Sequence, residues 1–168
     1  MKKRVLFVCV HNGARSQMAE ALLNHHCGDC FEAASAGVHP GLINSLAIEV
    51  MAELGIDISR HRTKSIFEFI RQQPTFDYVI TVCDESRGQH CPQFPRKTVH
   101  VQWDFPDPAS FTGTRAERLA RTRDVRDQIL ACIEGWCAQL CGTDEREADR
   151  PADQWEAAPP PAPQGMPA

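Results

Sequence analysis

The spacing of apolar and polar positions changes several times along the chain, and each change marks an element. Arg4 to Val10 reads RVLFVCV, an almost unbroken apolar run rich in β-branched residues. A run with no polar alternate positions predicts a strand buried on both faces of a parallel sheet. After a short polar turn, Met18, Ala21, Leu22 and His25 fall at helical spacing, which predicts a helix from Ser16 to about Cys27 with Gly28 as its stop. FEAASAG (Phe31–Gly37) reads as a second strand, and Ser45–Leu54 as a second helix closed by Gly55. A third helix fits Lys64–Gln72, ending before Pro74. FDYVITVC (Phe76–Cys83) and TVHVQW (Thr98–Trp103) supply two more strands. The last helix starts near Thr114 and runs through Leu119, Val125, Ile129 and Cys132 to about Leu140.

Strands that alternate with helices need crossover connections, so the expected class is α/β, three layers deep, with a four-stranded parallel sheet and helices on both faces. Ligands of such sheets sit outside the carboxyl ends of the strands. Cys9, Cys83 and Asp107 all fall just beyond strand ends, so one sheet edge gathers them.

Composition narrows the class. The 168 residues suit one domain, here residues 1–141, and 42% hydrophobic with 24% charged residues is ordinary for a globular protein. Residues 142–168 hold six acids, two arginines and six of the twelve prolines, so this segment is expected to be a disordered, acidic, proline-rich tail. The tail accounts for the formal charge of −4 and leaves the rest neutral, without the basic stripe of a nucleic-acid or membrane-surface binder. No apolar run approaches the length of a membrane span, and the first residues lack a small-residue cleavage site, so a cytoplasmic protein is expected; a monomer is expected as well. A reducing compartment argues against a disulfide framework for the eight cysteines, which are then core residues or chemistry.

Cys9 ends the first strand, and five residues, VHNGA, separate it from Arg15 and from Ser16 at the helix start. A loop running from a strand into a helix N-terminus turns backbone N–H groups inward and makes a nest for a tetrahedral oxyanion. Val10, His11, Asn12, Gly13, Ala14 and Arg15 are the candidate oxyanion-binding residues. Arg15 adds a planar, bidentate and always charged grip. Donors that hold an anion also favour thiolate over thiol at Cys9, with Ser16 a further donor to the sulfur and Asn12 a brace for the loop.

VLFVCVHNGARSQMAEALL resembles the signature of the low-molecular-weight protein tyrosine phosphatases and of the arsenate reductases built on the same fold. SAG at 35–37, GIDIS at 55–59, DYVITVCD at 77–84, CP at 91–92, WDFPDPA at 103–109 and VRDQI at 125–129 extend the resemblance to the reductase branch, over Arg4 to about Leu140. Gln17 stands where the phosphatases usually carry proline, and Ala109 and Ser110 where they tend to place tyrosines.

The resemblance implies strand order 2-1-3-4, Cys9 as the nucleophile toward arsenate (with phosphate or sulfate as analogues), and Asp107 as the general acid, Asp104 being the second choice. It also implies a relay in which Cys83 attacks the Cys9 sulfur, arsenite departs, and Cys91 resolves the disulfide by exchange. No tightly bound cofactor or metal is implied. Electrons are expected from thioredoxin, with glutaredoxin and glutathione, or another low-molecular-weight thiol system, as alternatives. Many thioredoxin-coupled relatives carry a cysteine where this chain has Ala14. Some relatives hold potassium beside the loop through residues matching Asn12, Glu20 and Ser35, and here Lys64 is expected to take the ion's place and brace Glu20.

A phosphatase for phosphotyrosine or small phosphate esters is the alternative function, and a non-catalytic oxyanion-binding module the third. Cys27 and Cys30 form CGDC, which suggests a redox pair or half a zinc site, but no second pair of matching spacing follows. These two, with Cys132, Cys137 and Cys141, are expected to be core or incidental thiols, Cys132 on the apolar stripe of the last helix.

Overall fold

The apolar run at the start of the chain becomes β1 (Lys3–Cys9), and its burial explains why no position alternates. Val5, Phe7 and Cys9 enter the larger core cluster on one face of the sheet, while Leu6 and Val8 enter a smaller cluster on the other. All five are between 0% and 2% exposed. The computed structural model describes residues 1–72, 75–83 and 98–141. The expected tail at 142–168 and the expected resolving residue Cys91 lie outside the described residues.

The remaining elements are α1 (Arg15–Cys27), β2 (Phe31–Gly37), α2 (Ser45–Ala52), α3 (Ile66–Gln72), β3 (Tyr78–Thr81), β4 (Val99–Gln102) and α4 (Arg115–Cys141). The sheet is four-stranded and parallel, in the order β2-β1-β3-β4. β1 pairs from Lys3↔Phe31 to Cys9↔Gly37 on one side and from Val5↔Tyr78 to Val8↔Thr81 on the other. The larger cluster takes side chains from α1, α2 and α4, including Leu22, Met51, Ile129 and Ile133. The smaller one takes Ile66 of α3 with Phe69 packed against it, so helices cover both faces. Each fully buried Leu, Ile or Phe contributes about 1.5–3 kcal/mol over leaving it in water.

Helix ends follow their local chemistry. Asn44 caps α2 by accepting from the Leu46 and Ala47 amides at 2.9 and 3.3 Å. The helix stops at Ala52, two residues short of the expected Leu54. The Ile56 amide returns to the Met51 carbonyl at 3.1 Å, through Gly55 at φ 75°, a left-handed turn that suits glycine. Thr114 and Glu117 form a reciprocal capping box at the start of α4, with bonds of 2.8 and 3.2 Å. α3 begins at Ile66, not Lys64, because the Lys64 backbone is used elsewhere. Its N–H donates to Asn12 Oδ1 at 2.8 Å and its carbonyl accepts from the Gly37 N–H at 2.8 Å.

The far end of the molecule corrects the sequence reading of the cysteines. Cys27 is disulfide-bonded to Cys137, and Cys30 to Cys141, joining the end of α1 and the start of β2 to the end of α4. Cys137 belongs to the larger core cluster and Cys27 and Cys30 pack against it, but all four are bonded rather than free thiols, so the expectation that disulfides are excluded does not hold for them. The second pair has a four-residue spacing, not three, but on a helix that spacing returns to the same face. Cys132 is half-buried and packs against the core at the edge of the stripe whose centre is Val125, Ile129, Ile133, Cys137 and Leu140. Burial pushes the Cys132 thiol pKa up.

Candidate active site

The loop between β1 and α1 is held from outside by its own carbonyls. Those of Cys9, Val10, His11 and Gly13 accept from the amides of Val38, His39, Gly41 and Asn44, at 3.3, 2.8, 3.0 and 2.8 Å. A trans peptide points its N–H opposite to its C=O, so this outward row turns the N–H groups of Val10, His11, Asn12 and Ala14 away from the 38–44 segment. The Asn12 N–H reaches Cys9 Sγ at 3.1 Å. Gly13 passes so close to that segment that a Cβ would sit 2.6 Å from the Leu42 carbonyl oxygen.

Cys9 Sγ is 2.8 Å from Ser16 Oγ. Ser16 Oγ already accepts from Asn12 Nδ2 at 2.8 Å, which leaves its own hydrogen for the sulfur. Two donors therefore converge on one thiol sulfur whose residue is only 2% exposed. Asn12 organises the rest. It is fully buried at φ 52°, a left-handed conformation that asparagine tolerates better than most residues. Its second amide hydrogen goes to Ser35 Oγ at 2.9 Å, and its Oδ1 accepts from Gln17 Nε2 at 2.9 Å and from the Lys64 N–H at 2.8 Å. All four hydrogen-bonding positions of the side chain are filled, so the left-handed turn under the sulfur is over-determined. Ser35 donates onward to Glu20, and Lys64 Nζ lies 3.4 Å from the same carboxylate and 3.3 Å from the Arg62 carbonyl.

Arg15 leaves α1 toward the other side of the loop and is as buried as Cys9. Nη1 donates to the Phe105 carbonyl at 3.2 Å, and Nη2 lies 3.3 Å from Asp107 Oδ2. Asp107 caps a short 3₁₀ turn at Pro108–Ser110, where its Oδ1 accepts from the Ala109 amide at 3.0 Å. One carboxylate oxygen is thus fixed by the backbone and the other faces the guanidinium. Asp104 lies away from this arrangement, accepting from Gln102 Nε2 at 2.6 Å.

Cys9, His11, Gly13, Ala14, Arg15 and Asp107 line a cavity of about 460 Å³. Leu42 to Leu46 and the α4 residues Arg115 and Arg118 close its other wall. Of the remaining sequence candidates, Val10 and Asn12 support the loop without lining the cavity. Cys83 is fully buried, with its sulfur 3.6 Å from the Val8 carbonyl of β1, one residue before Cys9. Cys91 lies outside the described residues.

The sequence reading missed the 38–46 wall, the Phe105 carbonyl and the two α4 arginines. It also missed His61, whose Nδ1 is 3.0 Å from Gln17 Oε1 and fixes that glutamine behind the loop. Asn44 ahead of an apolar-periodic segment was the one local sign of the wall, since an N-cap aims a helix start at its surroundings. Among the described residues no group of three or more His, Cys, Asp or Glu side chains is set to hold a metal ion, and no helix is long and apolar enough to cross a membrane.

Comparison with known proteins places the fold among known families. The family model described as low molecular weight phosphotyrosine protein phosphatase matches residues 4–147. An arsenate reductase of Halalkalibacterium halodurans is 38% identical over 128 residues, 76% of this chain and 90% of that protein. A solved structure described as an arsenate reductase in the phosphate binding state superposes with a TM-score of 0.66 at 29% identity, covering 82% of this chain and 98% of its own. A thioredoxin-dependent arsenate reductase of Corynebacterium glutamicum gives 0.55 at 30% identity, over 80% of this chain and 63% of its own.

Proposed function

Because the chain belongs to the low-molecular-weight phosphotyrosine protein phosphatase family, as one of its arsenate reductases, we propose that it reduces arsenate to arsenite through Cys9 and passes the oxidation to Cys83 and Cys91. Arsenate enters the cradle with its oxygens toward the loop amides and the Arg15 guanidinium. The Cys9 thiolate, with donors from Asn12 and Ser16 on its sulfur, attacks arsenic. An arsenic-bound oxygen leaves as water, taking its proton from the Asp107 carboxyl. An oxyanion gripped by Arg15 competes with Asp107 for that guanidinium, which turns the aspartate toward the leaving oxygen.

The adduct carries arsenic in the +5 state. The Cys83 thiolate attacks Cys9 sulfur, a sulfur–sulfur bond forms, and the sulfur–arsenic pair of electrons leaves with arsenic as arsenite. Cys91 then attacks Cys83, frees the Cys9 thiolate and leaves a Cys83–Cys91 disulfide. A dithiol protein of the thioredoxin class, or glutaredoxin with glutathione, supplies two electrons and two protons to restore both thiols. The observation that most favours reduction over hydrolysis is the buried Cys83 beside the β1 carbonyl that precedes Cys9. Dithiol reductants of this kind place the reaction in the cytoplasm.

The cradle, Arg15 and Asp107 also suffice to hydrolyse a phosphate ester, which is the second reading. Arsenate-dependent oxidation of a nicotinamide cofactor, coupled in turn to thioredoxin and to glutaredoxin with glutathione, separates them. The expected result is arsenate-dependent turnover that Cys83→Ser arrests in the first cycle. A Cys83→Ser variant that turns over at the wild-type rate contradicts the relay, and phosphate-ester hydrolysis without arsenate turnover selects the phosphatase.

A further inference from the structure

Four cysteines stand at the edge of the sheet opposite the cradle. Cys27 closes α1 and Cys30 precedes β2, at the amino-terminal edge of the strands, whereas Cys9 ends β1 at the carboxyl edge. The Cys30 N–H donates to the Cys27 carbonyl at 3.0 Å, and this turn presents both sulfurs to α4. There Cys137 and Cys141, one helical turn apart, complete the bonds Cys27–Cys137 and Cys30–Cys141, with Cα separations of 6.6 and 6.1 Å. The bonds span 110 and 111 residues of sequence. Their surroundings differ. Cys137 is 6% exposed and follows Trp136, whose ring stacks on Phe31 at 4.8 Å, whereas Cys141 is exposed.

We infer that these two bonds form a second thiol–disulfide site, separate from the catalytic relay, which a dithiol opens in order, Cys30–Cys141 first and Cys27–Cys137 second, and which sets how firmly the end of α4 is held to the body. A thiolate of the dithiol attacks one sulfur of the Cys30–Cys141 bond, forming a mixed disulfide and releasing the other cysteine. The second thiol of the reductant displaces the mixed bond. Two electrons and two protons pass to the protein, and the reductant leaves as its own disulfide. Closing runs the same exchange in reverse, with a low-molecular-weight disulfide as the oxidant that accepts the two electrons. The order follows from access, since exchange needs an in-line approach to sulfur and only the outer bond involves an exposed residue. Each closed bond restricts the unfolded chain through a long loop, which is where a cross-link stabilises most in the chain-entropy account.

The test maps thiols in the full chain purified without reductant. Denaturation in iodoacetamide, digestion and mass spectrometry should return two cross-linked peptide pairs, Cys27 with Cys137 and Cys30 with Cys141. Native protein treated with graded dithiothreitol should label Cys30 and Cys141 at a lower dithiol concentration than Cys27 and Cys137. Without reductant, Cys137→Ser with Cys141→Ser should melt about 10 °C below the wild type, and the gap should close in excess dithiol. Four cysteines that label without reductant overturn the inference, and one metal ion per chain in elemental analysis would then identify a tetrathiolate site instead. Simultaneous labelling of all four overturns the order. A melting gap that persists in dithiol assigns the loss to packing. The labelling arms use wild-type protein and stand even where the double variant does not fold.

Discussion

At the scale of single residues, the loop is held by side chains whose every polar atom is committed. Asn12 is the clearest case. Two donors and two acceptors of one buried amide meet Ser16, Ser35, Gln17 and the Lys64 backbone, so neither aspartate, which lacks the donors, nor serine, which lacks the reach, substitutes for it. The identity of this residue was legible in the sequence as a loop brace, but its four partners come from positions up to 52 residues away, and only folding brings them together. Asp107 is fixed with one oxygen on the Ala109 amide and the other toward Arg15. Asp107→Asn keeps the shape and removes the transferable proton, so the first-turnover rate of arsenite release should fall by about 100-fold or more, with arsenate binding little changed. An unchanged rate would take the acid role from Asp107. At Glu20, the Lys64 ammonium already supplies a cation, at 3.4 Å. Replacing sodium by potassium salts at equal ionic strength should therefore leave wild-type turnover unchanged, whereas Lys64→Ala should lose activity that potassium partly restores. Potassium activation of the wild type would contradict this role.

At the scale of elements, β1 and β3 were legible because burial leaves a nearly continuous apolar run, a signal that needs no tertiary knowledge. Helix ends were most legible where a cap or a glycine marks them, as at Thr114 and Gly28. The 38–46 wall carries no periodicity, because its order comes from amides paired with the loop carbonyls, and those partners are set by sheet register. The contact of α2 with α4 is electrostatic at its edge. Arg123 grips both oxygens of Glu53, at 2.7 to 3.2 Å, and Arg126 Nη1 reaches the same carboxylate at 2.8 Å. The hydrogen bond from Arg123 leads the causes that lower the Glu53 pKa from 4.5 to about 2. The folded protein thus holds this proton less readily than the unfolded chain. The stabilisation is complete above about pH 4.5 and fades as pH falls toward 2. Chemical denaturation at stepped pH should show a loss of stability across this window that is smaller in Glu53→Gln, and equal losses in the two proteins would discount the clamp.

At the scale of the whole molecule, the parallel sheet separates two groups of cysteines. Cys9 and Cys83 lie toward the carboxyl edge of the strands, and the Cys27–Cys137 and Cys30–Cys141 bonds at the amino edge. The gathering of Cys9, Arg15 and Asp107 into one cradle follows from the general rule for α/β sheets, and so could be argued from strand ends alone. The disulfides could not, because pairing across 110 residues depends on how α4 lies against α1, which no local pattern encodes. The direct measurement of the central claim is disulfide mapping after wild-type protein, prepared without reductant, meets one equivalent of arsenate. One new bond, Cys83–Cys91, should appear with one arsenite per chain while Cys9 stays alkylatable, and Cys91→Ser should instead trap Cys9–Cys83. Arsenite release with no new disulfide, or a new bond that leaves out Cys83, would contradict the account.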